Sequence, residues 1–169
     1  MTRLSKTDGE DHINIYSKGK TRLGVMLSNM SEFGFTHPLY GRFPSVESFW
    51  YFNKFRSRSN WKKKKRDSVL FEFRKLSGFG AKQRARELDP EIDTNDKFGG
   101  LSNHFKDEIK EALRCKVFQI PMIAGLLINS ELPFRHYYVF DENDYEPAEY
   151  SWIPDYFEKL RGEIKKAEL

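Results

Sequence analysis

The chain carries one cysteine, Cys115, in 169 residues. A lone thiol closes no internal disulfide and supplies no cysteine zinc centre, so disulfide-stapled and zinc-ribbon scaffolds are excluded. Long apolar runs are missing too: nothing approaches the roughly 18 uninterrupted apolar residues of a membrane span. The polar start, with Thr2, Arg3, Lys6, Asp8, Glu10 and Asp11, lacks the apolar segment of a secretory signal. No membrane partner and a cytoplasmic location are therefore expected. Familiar catalytic signatures are absent: no Walker-type phosphate loop, G-x-G-x-x-G, H-E-x-x-H or G-x-S-x-G occurs. The four histidines, His12, His37, His104 and His136, stand too far apart for a local metal motif, and no metal or cofactor is expected.

Large aromatics, by contrast, are abundant, with 15 Phe, 8 Tyr and 3 Trp. That is far more than a disordered chain carries, and the length suffices for one domain with its own core. Residues 1–12 are read as a flexible N-terminus and residues 13–169 as a single domain. The net charge of +4 is unevenly spread: eight basic and no acidic residues lie between Lys54 and Arg66, and the remainder holds 21 basic against 25 acidic residues. Such a patch concentrates anionic partners through its field; it is equally compatible with a solvated basic loop.

Ile13, Ile15 and Tyr16 read as a strand that turns at 17–20, with 23–26 continuing a hairpin. The Gly-, Ser-, Asn- and Pro-bearing stretch 27–43 reads as loop. Ser45 reads as the cap of a helix over about 45–56, with Glu47 in its first turn. Further helices are expected at about 67–76, 79–88, 103–120, 123–127 and 153–166 from the spacing of apolar residues. Phe134–Phe140 has strand composition, followed by an acidic loop over 141–149. The fold class is thus α+β: a helix-rich single domain with a small antiparallel sheet.

Leu27-Ser28-Asn29, followed after a loop by Arg42-Phe43-Pro44-Ser45-Val46-Glu47-Ser48-Phe49-Trp50-Tyr51-Phe52-Asn53-Lys54-Phe55, resembles the paired "S-N-F" and "P-S-V-E…K-F" segments of the YbiA-like proteins, also called the NADAR family after NAD and ADP-ribose. Leu113-Arg114-Cys115-Lys116-Val117-Phe118-Gln119 is similar to that family's "L-x-A-K-F-x-Q" helix, and Gly125–Ser130 to its "L-L-x-T-G-d" segment. The resemblance spans residues 13–161, matching poorly over 57–103. It departs near the C-terminus, where Glu149-Tyr150-Ser151-Trp152-Ile153 stands in place of D-x-x-W-G, and no clear equivalent of an expected tryptophan is found around Ser102. The resemblance implies an N-glycosidase acting on a ribosylated base, such as ADP-ribosylated guanine or a ribosylaminopyrimidine phosphate. ADP-ribose or a phosphoribosyl ligand is the implied partner.

Cleaving a C1′–N bond develops oxocarbenium charge, which a carboxylate beside the sugar stabilises. Glu47 is the leading candidate for that carboxylate, the alternative being a capping-box role, with Lys116 and Glu149 as further catalytic candidates. Ser28 and Asn29 are candidates for binding ribose hydroxyls or the base edge, or for forming a turn. Lys54, seven residues beyond Glu47 on the same helix face, is a candidate phosphate ligand or a surface lysine. Trp152 is a candidate stacking partner. Lys116, among apolar neighbours, either pairs with Glu47 or binds phosphate, because an unpaired buried ammonium is costly. Two rival readings stay open: a nucleic-acid-binding module using Trp61 and Lys62, Lys63, Lys64 and Lys65, and a non-catalytic relative that binds ADP-ribose.

Overall fold

A computed structural model of the chain describes residues 3–167. It is an α+β fold dominated by helices, and its strands form three separate pairs. Two compact units divide it, one assembled from Met1–Ser28 and Ile120–Leu169, the other from Asn29–Gln119.

The first unit opens with helix α1 (Leu4–Thr7), strand β1 (Ile13–Asn14) and helix α2 (Arg22–Leu27). Of residues 1–12, read as flexible, the first two lie outside the described residues and the others carry defined bonds. Arg3 pairs with Asp144 at 3.2 Å, and the Ser5 amide donates to the same carboxylate at 2.9 Å. The hairpin expected over 13–26 is instead strand then helix. Thr21 caps α2 by accepting the Gly24 amide at 3.0 Å. A Cβ at Gly24 would stand 2.2 Å from the Asn14 carbonyl oxygen, so only glycine lets this helix lie against β1.

In the second unit β2 (Phe35–His37) and β3 (Gly41–Phe43) form an antiparallel hairpin inside the stretch read as loop. Strands of three residues are too short for alternation to show; what holds them is burial of Phe35 and Phe43, which contact the ring of Phe49. Helix α3 (Val46–Arg56) follows, then α4 (Lys63–Phe73), α5 (Gly78–Leu88), α6 (Thr94–Lys97) and α7 (Asn103–Gln119). Helix α4 starts earlier than its apolar stripe suggests, so the lysine run forms its first turn. Phe49, Phe55, Phe73, Ile109, Leu113 and Val117 are fully buried and make the core of this unit.

The chain then re-enters the first unit with α8 (Pro121–Ile128), β4 (Phe134–Arg135), β5 (Tyr138–Phe140), β6 (Asn143–Tyr145), a 3₁₀ turn (Ala148–Tyr150) and α9 (Trp152–Ala167). The small sheet content expected is present as separate pairs: β5 and β6 form an antiparallel hairpin, while β1 pairs with β4 in parallel. The expected strand over 134–140 breaks at Tyr137 because the Asn14 side chain takes both its backbone groups, the amide and the carbonyl each at 3.1 Å. Helix α9 buries Ile153, Phe157, Leu160 and Ile164 at helical spacing.

Candidate active site

The geometry at the start of α3 follows from two serines. Ser45 is extended (φ −157°, ψ 163°) and its hydroxyl accepts the Ser48 amide at 3.1 Å, while Ser48 Oγ accepts the Ser45 amide at 3.2 Å. This reciprocal cap satisfies the orphan amides of the first turn, and it leaves Glu47 out. The capping alternative for Glu47 is thereby displaced: the third helical position belongs to Ser48. Ser45 Oγ also accepts the Gly78 amide at 3.0 Å, joining the first turn of α5 to that of α3. Gly78 has φ +44°, and a Cβ there would lie 2.6 Å from the Met30 carbonyl oxygen. The loop after Ser28 closes the arrangement, with the Asn29 carbonyl accepting the Glu47 amide at 2.9 Å.

Glu47 is buried, at 8% exposure, and among the described residues its carboxylate makes no hydrogen bond or ion pair. Burial pushes its pKa up to about 7; Lys82 opposes that rise most, Asp93 adds to it, and Lys54 and Arg86 oppose it further. One and two turns along the same face stand Tyr51 and Lys54. The Tyr51 hydroxyl donates to Asp93 at 3.1 Å, and burial together with the Glu47 and Asp93 charges holds it protonated far above the usual phenol range. Lys54 Nζ spends its three protons on the Ile92 carbonyl (2.9 Å), Asp93 (3.2 Å) and Asp96 (2.6 Å). Arg86 donates to Asp93 from Nε and Nη2 at 3.3 and 3.4 Å. The result is a buried, protonatable carboxylate next to a bonded cluster of Tyr51, Lys54, Arg86, Asp93 and Asp96; ionised, a carboxylate of this kind can stabilise a developing positive charge and carry one proton.

Of the residues singled out in the sequence, Asn29, Glu47 and Lys54 come together here. Asn29 is held through its backbone, and its side chain makes no hydrogen bond among the described residues. Lys54 is committed to Asp93 and Asp96, so it orders the acidic wall rather than offering a free ammonium. Lys116, fully buried, donates to Ser31 Oγ at 2.5 Å, on the loop that carries Asn29, and does not pair with Glu47. Burial pulls its pKa down to about 7. Ser28, buried, Glu149, half-buried in the 3₁₀ turn, and Trp152, half-buried at the start of α9, are carried by the other unit. Lys62 stands at the cap position of α4, and Lys63, Lys64 and Lys65 are exposed in its first turn.

A structure solved by NMR, that of the E. coli protein YbiA, matches this chain with a TM-score of 0.61 and 16% identity over 94% of this chain and 88% of that one. The fold is YbiA-like. No protein-family model and no curated protein matches the chain.

Sequence reasoning missed Tyr51, Lys82, Arg86 and Asp93. Tyr51 was legible as the residue one turn beyond Glu47. Lys82 and Arg86, four apart, share a helical face, but nothing local says that this face turns toward α3. That information resides in Gly78 and its bond to Ser45.

Proposed function

We propose that the chain is an N-glycosidase that hydrolyses the C1′–N bond of a phosphorylated, ribosylated base, with Glu47 as its catalytic carboxylate. The observation that carries this reading is a buried carboxylate at the start of α3 that makes no hydrogen bond or ion pair among the described residues. A group of that kind is costly to keep unless a ligand uses it. The YbiA-like fold and the motif resemblance support the reaction class, with ADP-ribosylated guanine and ribosylaminopyrimidine phosphates as the substrate types.

In this reading the C1′–N bond breaks with its electron pair going to the leaving nitrogen, which ends with the proton that the attacking water gives up and Glu47 carries. Glu47, ionised, stabilises the positive charge spreading over C1′ and the ring oxygen, then accepts a proton from the water whose oxygen bonds to C1′. Asn29 binds a ribose hydroxyl, and Lys54 acts as a positioning residue through Asp93. Lys116 holds the Asn29 loop through Ser31. Replacing Glu47 by Gln keeps shape and removes charge; turnover of a ribosylaminopyrimidine phosphate should fall about a hundredfold or more. Undiminished turnover overturns the assignment, and binding of ADP-ribose without any turnover by the unaltered protein favours a binding-only role.

A second reading, recognition of a nucleic-acid polymer, is favoured by four lysines exposed at the start of α4 with no acidic residue in that turn. The arrangement opposes the helix dipole and so invites an anion. Replacing Lys62, Lys63, Lys64 and Lys65 by Gln should flatten the salt dependence of polymer binding, by about 0.7 in logarithmic slope for each phosphate of a single strand that is no longer neutralised. An unchanged slope removes this reading.

A further inference from the structure

Helix α5 divides into three flanks. Ala81 and Ala85, fully buried, face the core, and Arg84 on one side pairs with Glu72 of α4 at 2.7 Å. On the opposite side Lys82, Arg86 and Phe79 fall within an arc of about 60° by helical geometry. This flank is joined to the helix that bears Glu47: Arg86 bonds Asp93, which accepts from Tyr51 and Lys54 one and two turns beyond Glu47. Phe79 is 63% exposed, and its ring meets no other aromatic among the described residues. Lys82 makes no hydrogen bond or ion pair among the described residues, and Arg86 bonds Asp93 through Nε and Nη2 only, leaving Nη1 open. An exposed phenyl ring and two cations with free donors therefore share one side of α5, and Glu47, which makes no hydrogen bond or ion pair among the described residues, lies on the helix that this side is bonded to.

We propose that this flank of α5 is the specificity surface of the site: the planar base of a nucleoside 5′-monophosphate unit stacks on Phe79, its ribose lies at Glu47 beside Lys82, and its phosphate is held by Lys82 and Arg86. The inference rests on the reading of Glu47 as the sugar-side carboxylate. The order along the helix suits such a ligand. Phe79 and Arg86 lie about 10 Å apart along the axis, with Lys82 between them, so base, sugar and phosphate are met in sequence. Stacking on an aromatic face tolerates any base, and the guanidinium and ammonium favour a phosphate over a neutral group. Phe79 is a specificity residue on this view and touches no reacting atom.

The test titrates GMP, ribose 5-phosphate and guanosine into the full chain by calorimetry, for the unaltered protein and for F79A, F79W and R86Q. Phe79→Ala should weaken GMP by at least about fivefold and leave ribose 5-phosphate unchanged, because that ligand has no base. Phe79→Trp should retain GMP binding. Arg86→Gln should weaken GMP and ribose 5-phosphate alike by about tenfold or more, and leave guanosine unchanged. If the unaltered protein binds GMP and F79A binds it equally well, or loses GMP and ribose 5-phosphate together, the stacking surface is overturned while Glu47 keeps its assigned role. If the unaltered protein binds none of the three, the reading of Glu47 falls and this inference with it.

Discussion

Each unit of this protein buries a cluster of polar side chains, and the two are built on opposite terms. In the unit containing both chain ends, Asp8 accepts the amides of Asn14 and Lys20 at 2.9 and 2.7 Å, and Asn14 clamps the backbone of Tyr137. His12 bridges Asp11 and the Tyr137 hydroxyl, the latter at 2.8 Å. Every partner is supplied from within, and the cluster works as a splice between β1 and the segment after β4. In the unit spanning Asn29–Gln119, Asp93 and Asp96 bond Tyr51 and Lys54, and the Glu47 carboxylate beside them makes no hydrogen bond or ion pair among the described residues. The difference teaches that a buried network whose members bond one another fixes local geometry, whereas a carboxylate left out of such a network keeps its acceptors, which is what the proposed role of Glu47 requires.

Removing Glu47's charge breaks that contrast most sharply. Alongside the hundredfold loss of turnover, E47Q should raise stability, with a definite sign in pH. The carboxylate's ordinary value of 4.5 rises to about 7 on folding, so between those values the folded state holds the extra proton and stability falls as pH rises. The burden is complete above about pH 7 and absent below about 4.5. At pH 8 the variant should therefore gain up to about 3 kcal/mol in urea unfolding, and at pH 4 nothing. A loss of stability at pH 8 would show that Glu47 has an internal partner after all.

The satisfied cluster should answer in the opposite direction. Asn14→Leu leaves the Tyr137 amide and carbonyl buried without partners, and should cost about 3 kcal/mol by chemical denaturation. A neutral outcome would mean that the clamp is dispensable. Next in size is Lys116→Met. The ammonium's value falls from 10.5 to about 7 on folding, so the unfolded chain holds the extra proton between those limits and stability rises with pH across them. Relief of the buried charge should therefore stabilise the variant by about 2 kcal/mol at pH 6, with the gain shrinking toward pH 10. A gain independent of pH would contradict it.

Gly78→Ala should lower stability by about 1–2 kcal/mol, because the residue sits at φ +44° against the Met30 carbonyl. It should also weaken turnover, since Gly78 sets α5 beside Glu47; full activity would detach the two helices functionally. The smallest effect belongs to the lysine run. Lys64→Glu places an acid in the first turn of α4 and should add about 0.3–1 kcal/mol by thermal melting, a gain that salt screens. A destabilised variant would mean that Lys64 has stabilising neighbours stronger than the helix dipole.

Much of the architecture is legible along the chain. Helix α3 follows from Ser45 and the aromatic spacing after it, and α7 from a broad apolar face ending near Gln119, because both are long enough for the 3.6-residue period to register. The short elements escape for the converse reason. A two-residue strand such as β1 has no alternation, and its parallel pairing with β4 joins residues more than a hundred positions apart. Helix α2 looks like a strand until Gly24 is seen against the Asn14 carbonyl. At the site, Glu47, Asn29 and Lys54 were readable from motif resemblance, while their roles were not, since a cap, a turn and a surface lysine use the same residue types.

By itself the sequence determined the class of fold, the aromatic core and the helix that bears Glu47, because these depend on composition, local capping and periodicity over ten or more residues. Only the tertiary structure decided that Ser48 rather than Glu47 fills the cap, that Lys54 is spent on Asp93 and Asp96, and that Lys82 and Arg86 approach from α5. Each of those outcomes turns on which groups meet across tens of residues, through a glycine at positive φ and a serine hydroxyl shared by two helices. Local spacing cannot encode such meetings; burial and hydrogen-bond satisfaction select them once the helices have packed.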